Sequence, residues 1–286
     1  MMRKKIAENK IFCVALSCVV SVMSLSVSTH ASDGKNIEYL EIEKIINEIR
    51  PMYSSDPMFI FEASEKGYTI EEFLELKAVE KYNRRIEIAN DMKKITNGEG
   101  KGLGNNGNNL YTYIPLIQQT QTYNCGPTSA LQVIYGMGAA NNVSGTTDGD
   151  KINTLALQAD ASSSGAIVYK LVNAINLYAT ANRHYEYIQG NSLTQAQFQS
   201  KVETSLFYDL APILHAKTEW LDYYEGHSSG HYIAVSELDK INGRITVKDC
   251  NYNNSYYGTH TEPISNFYDC IQNDLNGARY LICYDY

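Results

Sequence analysis

The feature that most limits what this chain can fold into is the run Cys125-Gly126-Pro127-Thr128-Ser129-Ala130-Leu131-Gln132-Val133-Ile134. Proline fits the first turn of a helix, where its missing N–H is no loss. The residues after it are apolar and helix-forming, so a helix is expected from Thr128 to about Gly136. Cys125 then stands at that helix's N-terminus. Unpaired backbone N–H groups and the helix dipole favour a thiolate there, and the thiolate is the reactive form of cysteine. Gly126 leaves room for a substrate backbone to approach. Gln119 lies six residues upstream. It can offer a side-chain N–H to an oxyanion, beside the backbone N–H of Cys125. Gln118 and Gln121 are its neighbours for that role.

The candidate general base is His231, in Gly230-His231-Tyr232-Ile233-Ala234-Val235. A glycine before it and an apolar run after it place it at the start of a strand. His227 is the chief rival, His215 a weaker one, and His184 and His260 have no supporting context. Asp249, in Ile245-Thr246-Val247-Lys248-Asp249-Cys250-Asn251, ends the next strand expected. It would hold the imidazole in its productive tautomer. Asn251, on the same side of a period-two strand, is the alternative.

These segments resemble the papain-like cysteine peptidases, and most of all peptidase family C-thirty-nine, the bacteriocin-processing, double-glycine-leader peptidases. That pattern is Gln, five residues, Cys-Gly-Pro, then His opening a strand and Asp closing the next. Here Cys250 stands where the family usually has proline. The resemblance spans residues 109 to 286. It implies an α+β, papain-like cysteine peptidase fold, with the nucleophile helix packed on an antiparallel sheet. It also implies a Cys125–His231–Asp249 triad with Gln119 as oxyanion donor, no cofactor and no metal. The reaction implied is peptide hydrolysis through a thioester, with a peptide or protein as substrate. A papain-like transpeptidase and a non-catalytic secreted binding module on a peptidase scaffold are the alternatives.

Residues 1–31 read as a signal peptide. Arg3, Lys4, Lys5 and Lys10 precede an apolar stretch from Ile11 to about Val27, and Thr29-His30-Ala31 suits cleavage before Ser32. Serines interrupt the apolar stretch, which argues against a membrane helix. A secreted protein of a Gram-positive bacterium is expected, without stable membrane insertion once the signal is gone. Cleavage removes more basic than acidic residues and deepens the net charge of −8. With no large basic block left, nucleic acid has no electrostatic footprint. Of the remaining cysteines, two among Cys250, Cys270 and Cys283 could pair in an oxidising compartment. Buried thiols are the alternative.

Residues 32–96 read as a helical segment. Pro51 is expected to stop a first helix, Ser54-Ser55-Asp56-Pro57 to turn, and Thr69-Ile70-Glu71-Glu72 to open a second helix with a capping box. Residues 97–109 are dense in Gly and Asn and read as a linker, which leaves 110–286 as the peptidase domain. Between a signal and such a domain, the helical segment is either a prosegment or an accessory hairpin without inhibitory role. Asp148-Gly149-Asp150 reads as a turn. Early helices followed by late strands at 185–188, 212–216, 231–238, 244–249 and 280–284 form an α+β pattern.

Overall fold

The computed structural model describes residues 33–96, 108–179, 183–272 and 277–285. The signal segment and most of the Gly/Asn-rich run lie outside the described residues. The described residues from Ile42 onward form one compact unit, and those before it, 33–41, lie outside that unit.

Among the described residues three helices come first: α1 (Asp33–Tyr53), α2 (Pro57–Lys66) and α3 (Ile70–Thr96). Helix α1 passes through Pro51 and ends two residues later, because a proline in the last turn deletes only one backbone bond. Asp56 caps α2 by accepting from the Met58 N–H at 2.9 Å. The box expected at α3 is present, with Glu72 accepting from the Thr69 N–H at 2.8 Å. Ile42, Ile45, Ile49, Phe59, Phe73 and Leu74 form a core of their own.

The rest alternates helices and strands: β1 (Asn109–Tyr111), α4 (Cys125–Gly136), α5 (Asp148–Gln158), α6 (Val168–Asn176), β2 (Tyr185–Gln189), α7 (Gln195–Phe207), β3 (Ile213–Lys217), β4 (Gly230–Asp239), β5 (Arg244–Asp249), β6 (Gly258–Pro263), α8 (Ile264–Cys270) and β7 (Tyr280–Tyr284). The strands form one sheet in the order β2-β7-β3-β4-β5-β6, with β1 added to the far half of β4. All pairings are antiparallel. Alternate residues of each strand feed two cores. Tyr232, Ala234 and Ile282 pack with α4, α5 and α6 on one face. Ile233, Val235 and Leu281 pack with α7 and α8 on the other. The fold is therefore α+β, with the helix that begins at Cys125 packed on an antiparallel sheet and preceded by helices.

Sequence periodicity locates five of the seven strands. It passes over β1, which is three residues long, and β6, whose Thr259-His260-Thr261 core is polar. Asp148-Gly149-Asp150 is the first turn of α5 rather than a loop turn. Thr147 and Asp150 form a reciprocal capping box there, and the backbone and hydroxyl donors of Thr146 and Thr147 hold the Asp150 carboxyl down at about 2.

Residues 42–96 are joined to the sheet by buried polar contacts. Lys81 pairs with Glu186 at 3.0 Å and with Asp285 at 2.8 Å, and Tyr53 Oη donates to Glu186. Tyr187 Oη donates to Glu62 at 2.7 Å, and Tyr280 Oη to Asp56 at 2.8 Å. Removing one partner of such a pair leaves an uncompensated buried charge. Lys81→Ala is expected to cost about 3 kcal/mol in urea unfolding followed by circular dichroism. Breaking the exposed Arg50–Glu71 pair should cost less than about 1 kcal/mol.

Candidate active site

Antiparallel pairing carries the start of β4 and the end of β5 to the same rim of the sheet. There His231 Nε2 meets Asp249 Oδ1 at 2.8 Å, with both side chains buried. Nε2 is thus committed to the carboxylate, and Nδ1 is the ring nitrogen left for the thiol. Cys125 enters this rim from α4, whose residues from Cys125 to Ile134 are all buried. Ser129 Oγ, one turn on, donates to the Tyr232 carbonyl of β4 at 3.0 Å and ties helix to strand. Gly126 serves this close approach, not a substrate backbone. A Cβ there would come within 3.0 Å of Ala166 and 3.2 Å of Tyr232.

Burial by itself would raise the Cys125 thiol's pKa. A hydrogen bond to His231, the imidazole's charge and the backbone N–H groups of Tyr232 and Gly126 outweigh it, so the thiol sits below its usual value of 9.0. Burial opposes charge on His231 as well. The Asp249 carboxylate overcomes it and holds the ring well above its usual 6.5. Asp249 is likewise drawn down against burial by His231 and by its donors. Each of its oxygens accepts two hydrogen bonds. Oδ1 takes His231 and the Asn251 N–H, and Oδ2 takes Tyr223 Oη at 2.8 Å and Tyr224 Oη at 2.9 Å.

The structure therefore brings together Cys125, His231 and Asp249. The Asn251 amide goes elsewhere and donates to Tyr224 Oη at 2.7 Å. Gln119 is buried, and its Nε2 donates to the Gln121 carbonyl at 2.8 Å, which leaves a second N–H. Gln118 is turned away, toward Tyr252 O and Asn254. Among the rival histidines, His215 stacks on Tyr232 and His260 on Tyr223, while His227 is exposed. Cys125, Cys250, Cys270 and Cys283 are all buried thiols without a disulfide.

Tyr223 and Tyr224 were not legible in the sequence. No pattern ties two tyrosines in a 3₁₀ turn to an aspartate on a later strand. Ligating atoms of His231, Asp249 and Cys250 lie within 4.8 Å of one another. The carboxylate's accepting positions are already filled, so the group works as a hydrogen-bond network rather than a metal cradle. A cavity of about 520 Å³ lies elsewhere, between the N-terminal helices and β2. Its lining charges, such as Lys81 and Glu186, pair with each other. The candidate site is the buried cluster around Cys125.

No protein-family description matches the chain. No curated protein matches it either. Among solved structures the chain is similar to a double-glycine-motif protease from an AMS/PCAT transporter, solved in complex with its leader peptide. The identity is 11%, covering 61% of this chain and 94% of that one, with a TM-score of 0.39. It is also similar to the peptidase domain of Streptococcus ComA, a bi-functional ABC transporter of a quorum-sensing pathway, at 17% identity over 60% and 99% of the two chains, TM-score 0.37. A third is a fragment of prointerpain A from Prevotella intermedia, at 13% identity over 71% and 81%, TM-score 0.42. Among the described residues no helix is long and apolar enough to cross a membrane.

The directions of the two titrations give a pH prediction. Thiolate and imidazolium stabilise each other, since the ring lowers the thiol and the carboxylate behind it raises the ring. Alkylation of Cys125 by iodoacetamide should therefore persist below pH 9.0 and fall on acidification through the lowered thiol value. In His231→Ala the profile should move up toward that of an ordinary thiol. Mass-spectrometric rates of Cys125 modification across pH read both.

Proposed function

We propose that this chain is a secreted cysteine peptidase that cleaves peptide amide bonds through a thioester on Cys125. The observation that carries the reading is the buried His231–Asp249 contact, at the rim that Cys125 enters from α4, where the same imidazole draws the thiol's pKa down. Cys125 gives its proton to His231, and the thiolate attacks the scissile carbonyl carbon. The oxyanion is received by the Cys125 N–H and the remaining N–H of Gln119. The imidazolium then protonates the leaving amine as the C–N bond breaks, and a thioester remains. Water, deprotonated by His231, attacks the thioester and releases the new carboxylic acid and the thiol. Asp249 stays ionised and holds the ring, and Tyr223 and Tyr224 hold Asp249.

Secretion rests on the sequence pattern of residues 1–31. Protein recovered from culture medium should begin at Ser32. Incubated with a peptide library, it should release fragments that Cys125→Ala and His231→Ala do not. Gln119→Ala should lower kcat about 100-fold. Fragment release by Cys125→Ala at the wild-type rate would refute the nucleophile assignment.

The helical segment enters this reading as a retained part of the folded enzyme. The contacts of Tyr53, Asp56, Glu62 and Lys81 run to β2 and β7, whereas His231 and Asp249 stand on β4 and β5. Deletion of residues 32–108 is expected to lower the Tm rather than release activity. Higher turnover at an unchanged Tm would mark it as a restraining prosegment.

A further inference from the structure

We infer that Cys250 is a positioning residue of this site: its thiol fixes which end of the Gln119 amide meets the developing oxyanion. The inference rests on the reading of Cys125 as nucleophile and Gln119 as oxyanion donor. An amide can present oxygen or nitrogen to the same point by rotating half a turn. Presenting the oxygen would repel an oxyanion, so the rotation must be set by partners on both sides.

Those partners are present. On one side, Gln119 Nε2 donates to the Gln121 carbonyl at 2.8 Å, which needs a donor and so rejects the amide oxygen. On the other, Cys250 Sγ stands 3.7 Å from Gln119 Oε1. Among the described residues this thiol is the donor at that oxygen. The thiol has other acceptors in reach, the Cys125 carbonyl at 3.6 Å, the Tyr232 carbonyl at 3.7 Å and the Ser129 hydroxyl at 3.7 Å. Each already makes a hydrogen bond of its own. The Tyr232 oxygen takes the Ser129 hydroxyl at 3.0 Å. The Cys125 oxygen lies in the first turn of α4, where helical pairing serves it. The single S–H is therefore needed at Gln119, which is buried. Backbone geometry fixes the same meeting, since the Gln119 N–H donates to the Cys250 carbonyl at 2.8 Å. Cys250 itself is fully buried and its thiol is pushed above the usual value by burial, so it stays protonated and remains a donor.

The test compares two probes of Cys125 in the full chain. p-Nitrophenyl acetate acylates sulfur through a tetrahedral oxyanion, whereas iodoacetamide alkylates it by displacement and forms none. Cys250→Ala is expected to slow p-nitrophenol release from Cys125 about tenfold, less than loss of the donor itself, while alkylation changes by under about twofold. Cys250→Ser, which restores a donor, should recover most of the acylation rate. In a Gln119→Ala background, Cys250→Ala and Cys250→Ser should have no further effect on acylation. Equal slowing with both probes, unchanged acylation, or an additive loss in that background would overturn the inference. Wild-type Cys125 inert to both probes would instead sink the nucleophile reading. Should Cys250→Ala not fold, Cys250→Ser must still show acylation reduced relative to alkylation by less than Gln119→Ala does; a reduction as large as that of Gln119→Ala also overturns it.

Discussion

Everything at the site depends on the close packing of one helix, buried from Cys125 to Ile134, against one strand. Helix α4 has no solvated face, so it can exist only where the sheet and its neighbouring helices enclose it. Gly126 lets it approach Tyr232 of β4 within van der Waals contact, and the Ser129 hydroxyl locks the two together through the Tyr232 carbonyl. That contact delivers Cys125 to the rim where β4 begins. A side chain at 126 would crowd Ala166, Tyr232 and Leu171, which would have to give way by a few tenths of an ångström.

The electrostatics follow from the same enclosure. Burial opposes charge on Cys125, His231 and Asp249 alike, yet each is drawn toward its charged form by the next. This works only because the far end of the relay is saturated. Four donors converge on the Asp249 carboxylate, so its charge is supported without solvent. Two of them come from Tyr223 and Tyr224, in a 3₁₀ turn (Asp222–Tyr224) between β3 and β4. A stretch that periodicity marks only as a loop thereby takes part in holding the imidazole.

The N-terminal helices show a different economy of polar groups. They have their own apolar core, and they meet the sheet through Lys81, Glu62 and Asp56, which are buried against Glu186, Tyr187, Tyr280 and Asp285. Such contacts add little net energy compared with apolar packing, but they are costly to break one partner at a time. They bind these helices to β2 and β7 in one arrangement.

Order along the chain and local pattern were enough to determine several things. The proline near Cys125 had to sit in a first helical turn, the capping box at Thr69 had to open a helix, and the apolar runs at His231 and Ile245 had to form successive strands. These are local rules of backbone geometry, and they put Cys125, His231 and Asp249 on the right elements. What they could not supply was the three-dimensional neighbourhood. Asp249 and Asn251 share a side of the chain by period two, and only the position of Tyr224 decided that the amide turns to the phenol and the carboxylate to the ring. Gly126 could equally have served a substrate or a helix contact until Ala166 and Tyr232 were found against it. Cys250 could pass for a small apolar residue until its thiol was seen at the Gln119 oxygen. Each of these depends on groups far apart in sequence, whose meeting is set by how the helices close over the sheet.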